Sequence, residues 1–522
     1  MLINYWSESV AFPLLTTLTC VPLLSVMVIM RAPSSLMALR YGFCGALVTL
    51  CMSIYLLMVF NAGKPGMHLV EQVHFAGLSY TVGVDGANIL FIPLLAVLTF
   101  LALIYTLITR HKTDRLFIAC LLAYEGILIG AFVALNLLQF WFWCVLECVP
   151  VTLLTLYAGT GKNRRWIMAR VLQYWLSGLA MTLAGFILLS LGMTDAGQPL
   201  SFDWLTLKQH HAHFPNETLV FLLLFLGFAI RMPLFPFHGW LPLLLEHGTV
   251  ASAAIFLVGL QVGIYAVIRF ILPFVPDDAE NWAGFVMTLG LLSIFYGALL
   301  ALLQINIRRL LAFAVLSHTG MLIIGMFCFN DYGLEGSLLL CIAYGLATAG
   351  MLFSVGLIYE RTRTAFIPRL GGLFDSNSTI ALLFLISALS TMVMPGTPGF
   401  DAAHLLLEGI IERDGWLIAI AILIGNVLAA AFLLRAFQQL FITAPKRATH
   451  PPSSVYHPVT TERLIALAIC GLLIGTGFYT TPWLNFIDQD AATIGKHYPV
   501  LGTQHGAVVN TQDNQAKDKD HD

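Results

Sequence analysis

A few ionisable side chains in this sequence stand where little else is polar. Glu125, Glu147, Arg231, His318 and His404 fall inside long apolar runs, and Asp401 lies at the margin of one. Holding a charge far from water is unfavourable by several kcal/mol, so each group needs an opposite charge, a hydrogen-bond partner or a local water. Glu147 and Arg231 can supply this to each other. His318, in Leu316-Ser-His-Thr-Gly320, titrates near neutral pH and can relay protons. A hydrogen-bonded packing histidine is the alternative there. Glu125 is open between an interior position and an interfacial one near a helix end.

Other chemistries find little support. The nine cysteines all fall in apolar segments, which argues against a disulfide framework. Cys144 and Cys148 are one helical turn apart but lack further ligands, so they read as small packing residues. His210, His211 and His213 could bind a metal, although a histidine-rich loop is more commonly just solvated. There is no nucleotide-binding fingerprint and no cysteine cluster suited to iron–sulfur binding. The expectation is therefore no cofactor, no metal and no assigned catalytic residue.

The elements that position these groups follow from composition. Of 522 residues, 58% are hydrophobic and only 10% charged, and the mean hydropathy is +0.84. A soluble domain carries about 25% charged residues, so the lipid bilayer is the solvent that fits. The net charge of −2 says nothing about nucleic acid and no basic block suggests it, so no nucleic-acid partner is expected. A spanning helix needs about 20 mostly apolar residues. About fourteen such runs occur, near 9–30, 37–60, 87–108, 115–135, 137–159, 168–192, 218–238, 249–272, 283–303, 310–328, 335–358, 379–411, 415–440 and 463–484. They lack the period-two alternation of a membrane β-barrel, so the fold class is all-α and polytopic.

The first run has no basic leader and no clear cleavage site, and is expected to be retained. Loops joining odd to even helices hold Arg31, Arg40, Arg110, Arg164, Arg165, Arg308, Arg309, Arg361, Arg363 and Arg369, while the opposite loops hold little beyond Lys64, Lys208 and Arg413. The asymmetry predicts cytoplasmic odd-to-even loops, both termini on the other side, and a bacterial-type inner membrane location. Segments 61–86 and 194–217 read as long polar connections. The tail after Thr503 reads as polar and disordered.

Two runs contain helix breakers at mid-membrane depth. The seventh reads Arg231-Met-Pro-Leu-Phe-Pro236, with Pro233 and Pro236 lacking backbone donors. The twelfth reads Met394-Pro-Gly-Thr-Pro-Gly-Phe400, with breaks at Pro395 and Pro398. They lie five helices apart, which suggests inverted repeats of helices 4–8 and 9–13. Broken helices at matching positions point to an ion pathway, because unwound backbone is tolerated where it lines a hydrated or protein-buried site. The expected organisation is residues 1–110 for helices 1–3, 111–272 for the first repeat and 273–441 for the second. Residues 442–484 hold the last helix and 485–522 a polar, partly disordered tail.

Several ordered motifs then carry a resemblance. Gly83-Val-Asp-Gly86, Pro236-Phe-His-Gly-Trp-Leu-Pro242 and Tyr265 through Arg269-Phe270 resemble the antiporter-like membrane subunits of respiratory complex I. So do Gln304-Ile-Asn-Ile-Arg-Arg-Leu310, Ser317-His-Thr-Gly320, Leu357-Ile-Tyr-Glu-Arg361, Gly371-Gly-Leu373 and Pro395-Gly-Thr397. The match runs from about Gly83 to Phe441 and is nearest the M-type subunit, whose relatives include the Mrp antiporters. The resemblance implies fourteen helices, inverted five-helix repeats and proton half-channels built from lysines, glutamates and histidines. Carried over position by position, the helix 5 glutamate falls on Val145, with Glu147 two residues on. The helix 7 lysine becomes Arg231, which cannot release a proton as lysine can. The helix 8 lysine becomes Gln261, the helix 11 histidine becomes Tyr344, and the helix 12 glutamate becomes Ala403, beside Asp401 and His404. His318 alone is unchanged. The resemblance implies a proton-translocating subunit among other membrane subunits, without its own redox site. The departures keep two alternatives open: a subunit of an inorganic-carbon uptake, Mrp or hydrogenase-type assembly, or a non-conducting scaffold.

Overall fold

The computed structural model describes residues 2–75, 78–108, 114–160, 163–194, 200–209, 214, 216–444 and 460–495. His210, His211, His213 and the tail after Thr503 lie outside the described residues. The described residues form twenty α-helices in chain order. They are α1 (Leu14–Met30), α2 (Ser35–Val59), α3 (Phe91–Ile108), α4 (Arg115–Val133), α5 (Leu137–Ala158), α6 (Arg164–Met193), α7 (Trp204–Leu207), α8 (Glu217–Arg231), α9 (Trp240–His247) and α10 (Val250–Ala266). The second half holds α11 (Pro276–Asn281), α12 (Ala283–Leu303), α13 (Ile307–Met326), α14 (Asp331–Thr362), α15 (Leu373–Ser376), α16 (Ser378–Thr391), α17 (Pro398–Asp414), α18 (Trp416–Phe437), α19 (Thr460–Phe478) and α20 (Thr481–Gly495). Among the described residues, ten helices are long and apolar enough to cross a bilayer alone. With α1, α10 and the interrupted pairs α8–α9 and α16–α17, they account for the fourteen expected crossings. α13 and α14 are buried almost along their whole length, whereas α18 and α19 present mostly outer faces.

The connection at 61–86 is more ordered than its polar composition suggests. β1 (Leu2–Tyr5) pairs in parallel with β2 (Gly66–Phe75), which pairs antiparallel with β3 (Leu78–Val84). The hairpin also satisfies a helix end. Pro13 offers no side-chain cap to α1, so the Glu71 carboxylate accepts from the amides of Leu15 (2.7 Å) and Thr16 (3.0 Å). The stretch after residue 484, read as tail, begins instead as α20, which packs on α14.

The helix ends near the sheet form one rim, and the arginine-rich loops form the opposite one. We call these the sheet end and the basic end. At the basic end the Arg308 guanidinium donates to the Thr160 hydroxyl (3.0 Å) and to the carbonyls of Glu246 and Gly248, and it stacks on Tyr359. This ties the ends of α5, α9 and α13 together. At the sheet end Arg269 bonds Asp85 at 2.6 Å and the Tyr265 hydroxyl at 2.9 Å, and Asn88 reaches the Phe132 carbonyl. The Gly83–Gly86 and Tyr265–Arg269 motifs are thus one structural clamp.

Both breaks fall where the prolines stand, and in the first the loosened backbone finds partners. Beside Pro233, the Ile230 carbonyl accepts the Trp240 indole N–H at 2.9 Å, and the Phe235 amide donates to Ser293 Oγ at 3.0 Å. In the second, Val393 and Gly396 have positive φ, and the Thr397 hydroxyl donates to the Met394 carbonyl. Other features recur five crossings apart. A π-helical turn ends the eighth crossing at Val267–Ile271 and the thirteenth at Gln438–Ile442. Asn136 caps α5 and bridges to Asp203, while Asn306 caps α13 and bridges to Phe366.

Candidate functional site

Glu147 and Arg231 meet in the interior. Glu147 is 1% exposed and its Oε2 accepts from Arg231 Nη2, which also donates to the Gly259 carbonyl at 2.9 Å. The guanidinium lies over the Trp175 ring, 4.8 Å from its centroid. The other glutamate oxygen, Oε1, accepts from the Tyr124 hydroxyl at 2.8 Å. Four crossings contribute: α4 brings Tyr124, α5 Glu147, α8 Arg231 and α10 Gly259. Arg231 is the last residue of α8, so the break that follows lets the side chain leave the helix end inside the protein.

Glu147 can take this role because it lies on the inward stripe of α5, with Phe140, Cys144, Cys148, Val151 and Leu154. Val145, two residues before Glu147, is only partly buried and lies off that stripe. Gly259 is required by the close approach. A Cβ there would lie 2.2 Å from the Tyr124 hydroxyl and 3.0 Å from Glu147 Oε1. Beside the pair, Arg231 borders a cavity of about 20 Å³ walled by Cys144, Trp175, Gly178 and Gly227, room for about one water. Its Nε and Nη1 make no hydrogen bond among the described residues.

A second cluster lies across α10. Gln261 is two residues from Gly259 and so points the other way. Gln261, His318 and Tyr344 line one cavity of about 20 Å³ with Thr319 and Thr348. The His318 and Tyr344 rings stack with centroids 4.5 Å apart. Among the described residues, His318 Nε2 and Gln261 Oε1 have no hydrogen-bond partner, and the Tyr344 hydroxyl meets the Met321 sulfur at 3.4 Å. Gln261, His318 and Tyr344 are therefore neighbours in space.

The remaining candidates are placed apart from these clusters. Glu125 is mid-helix in α4 and fully buried, with neither oxygen bonded to protein, so the interfacial placement near a helix end does not hold. Asp401 is partly buried and accepts the Thr480 hydroxyl, while His404 is exposed on the outer face of α17. Ala402 and Ala403, between them, are the buried residues. Sequence reasoning passed over Tyr124, Trp175 and Gly259, since an aromatic or glycine in an apolar run carries no signal of a polar contact. Cys144 and Cys148 are buried and free, as packing residues; Cys20, Cys44 and Cys51 instead lie on the outer surface.

This arrangement is that of a polytopic bundle with a buried charge pair at one interrupted helix and small, mainly apolar cavities beside it. The family described as "NADH:quinone oxidoreductase/Mrp antiporter, TM" matches residues 134–429, more than half of the sequence, and the chain belongs to it. NADH-quinone oxidoreductase subunit M of Rhodobacter capsulatus is 30% identical over 473 residues, covering 87% of this chain and 90% of that protein. NAD(P)H-quinone oxidoreductase chain 4 1 of Synechococcus sp. (strain JA-3-3Ab) is 30% identical, covering 94% and 93%. A chain of respiratory complex I from Thermus thermophilus superposes with a TM-score of 0.83 at 27% identity, covering 92% of this chain and 99% of that one. A chain of the Mrp complex from Dietzia sp. DQ12-45-1b has a TM-score of 0.82 at 18% identity, a likeness of fold.

Proposed function

We propose that this chain is a proton-translocating membrane subunit of a complex I-like assembly, with Glu147 as the group that takes up and releases the proton. The observation that carries the reading is the buried Glu147–Arg231 pair at the break of the seventh crossing. An isolated buried pair is no gain in stability over apolar packing, so its retention beside a cavity and a broken helix favours a working role. Arg231 stays charged and fixes the electrostatics, while Glu147 changes protonation state. Beyond α10, the Gln261–His318–Tyr344 cavity continues the route through neutral groups and water. We read the matched breaks, π turns and asparagine caps as inverted repeats of crossings 4–8 and 9–13, and the basic end as cytoplasmic. Asp401 and His404 stand apart from the route, and a link to them would run outside the two cavities.

The test is Glu147→Gln in the intact complex reconstituted into liposomes, with potential-driven proton flux followed by an internal pH dye. Flux should fall to the background of protein-free vesicles while the complex still assembles. Unchanged flux would reject Glu147 as the carrier.

A further inference from the structure

The pair itself raises the question of how a proton reaches Glu147. Its Oε2 is covered by Arg231, which cannot give up a proton. Its Oε1 is covered by the Tyr124 hydroxyl. Tyr124 also lines a cavity of about 20 Å³, room for about one water, together with Thr155, Gly248 and Thr249. Leu154 forms a wall of this cavity and of a larger one, about 220 Å³, at the basic end. The larger cavity lies between α4 and α5 and has Asp114, Cys120 and Tyr157 on its lining.

We propose that Tyr124 is the relay through which protons from this basic-end vestibule reach Glu147. A tyrosine hydroxyl is both donor and acceptor. Hydronium in the small cavity forms a new O–H bond to Tyr124 Oη and becomes water. The original Oη–H bond breaks and its proton bonds to Glu147 Oε1. Tyr124 ends neutral as it began, Glu147 becomes a neutral acid, and rotation of the hydroxyl resets the relay. The neutralised Glu147 no longer holds Arg231, which lines the adjoining cavity and whose Nε and Nη1 have no partner among the described residues. Gly259 keeps the contact closed, because any side chain there would meet the Tyr124 oxygen.

The proposal rests on the reading of Glu147 as proton carrier, and one set of variants separates the two. In the same proteoliposome assay, Tyr124→Phe keeps the ring and removes the relay, so flux should fall at least about tenfold. Tyr124→Ser loses the ring but leaves a hydroxyl and space for water, so it should conduct better than Tyr124→Phe. A purely structural role gives the opposite order, since phenylalanine preserves packing and serine leaves a hole. Gly259→Ala should resemble Tyr124→Phe by pushing the hydroxyl off the carboxylate. Wild-type flux in Tyr124→Phe, with Glu147→Gln silent, overturns the relay and leaves the carrier reading intact. Flux lost more severely in Tyr124→Ser than in Tyr124→Phe also overturns it. Wild-type flux in Glu147→Gln overturns both.

Discussion

Arginine at position 231 changes what the buried pair can do. A lysine can be neutralised by desolvation; a guanidinium cannot, so one member of the pair is locked as a cation. Glu147 must then carry the change in protonation, and its two oxygens are already divided between Arg231 and Tyr124. Stability should report the same coupling. Removing one partner of a buried pair leaves an uncompensated charge, which destabilises by about 3–5 kcal/mol, whereas removing both by apolar residues is close to neutral. Arg231→Leu should therefore lower the thermal midpoint in detergent well below that of Glu147→Leu/Arg231→Leu. A double variant at least as destabilised as the single one would show that the pair is not coupled. The pairing of Glu147 with Arg231 was legible in the sequence, because opposite charges are scarce in an apolar chain. Tyr124 was not, because a tyrosine in an apolar run reads as packing whether or not its hydroxyl meets a carboxylate.

Helix breaks are set locally but made tolerable by distant residues. Proline marks both interruptions in the sequence, since it removes a donor and clashes with the preceding turn. What the sequence does not announce is the partner of the loosened carbonyl. In the seventh crossing this is the Trp240 indole, bonded to the Ile230 carbonyl. Trp240→Phe should leave that buried carbonyl unsatisfied and destabilise the protein by about 1–3 kcal/mol. The check is thermal unfolding of the purified complex against wild type; an unchanged midpoint would mean that another donor takes the place of the indole. The hairpin at the sheet end was likewise missed. Its role depends on Glu71 capping α1, a contact across 56 and 55 positions that no local pattern encodes.

At the scale of the whole molecule, the C-terminal α20 closes the sheet end. Asp490 accepts from the Gly66 amide (2.9 Å) and the Gly86 amide (2.6 Å), joining α20 to the start of β2 and to the turn that follows β3. Burial first, and the neighbouring Asp85 charge second, push its carboxyl up from 3.8 to about 7; the two amide bonds and Arg269 oppose this. A group whose pKa is raised on docking favours the docked state when protonated. That contribution is full below about pH 4 and is lost as pH rises through about 7. Proteolysis near α20 should therefore be slower at pH 5.5 than at pH 8 (about one pH unit or more either side of that value), and Asp490→Asn should flatten the difference. A pH-independent cleavage rate in the wild type would contradict this assignment. The sequence by itself determined the solvent, the number of crossings, the two interruptions and the few charges that must be accommodated. Those follow from composition and from proline chemistry, which act locally. Only the tertiary structure decided which faces of α4, α5, α8 and α10 meet. In an almost uniformly apolar helix no periodicity distinguishes the inward stripe, so the turn that points Glu147 at Arg231 and Tyr124 is fixed by packing between crossings.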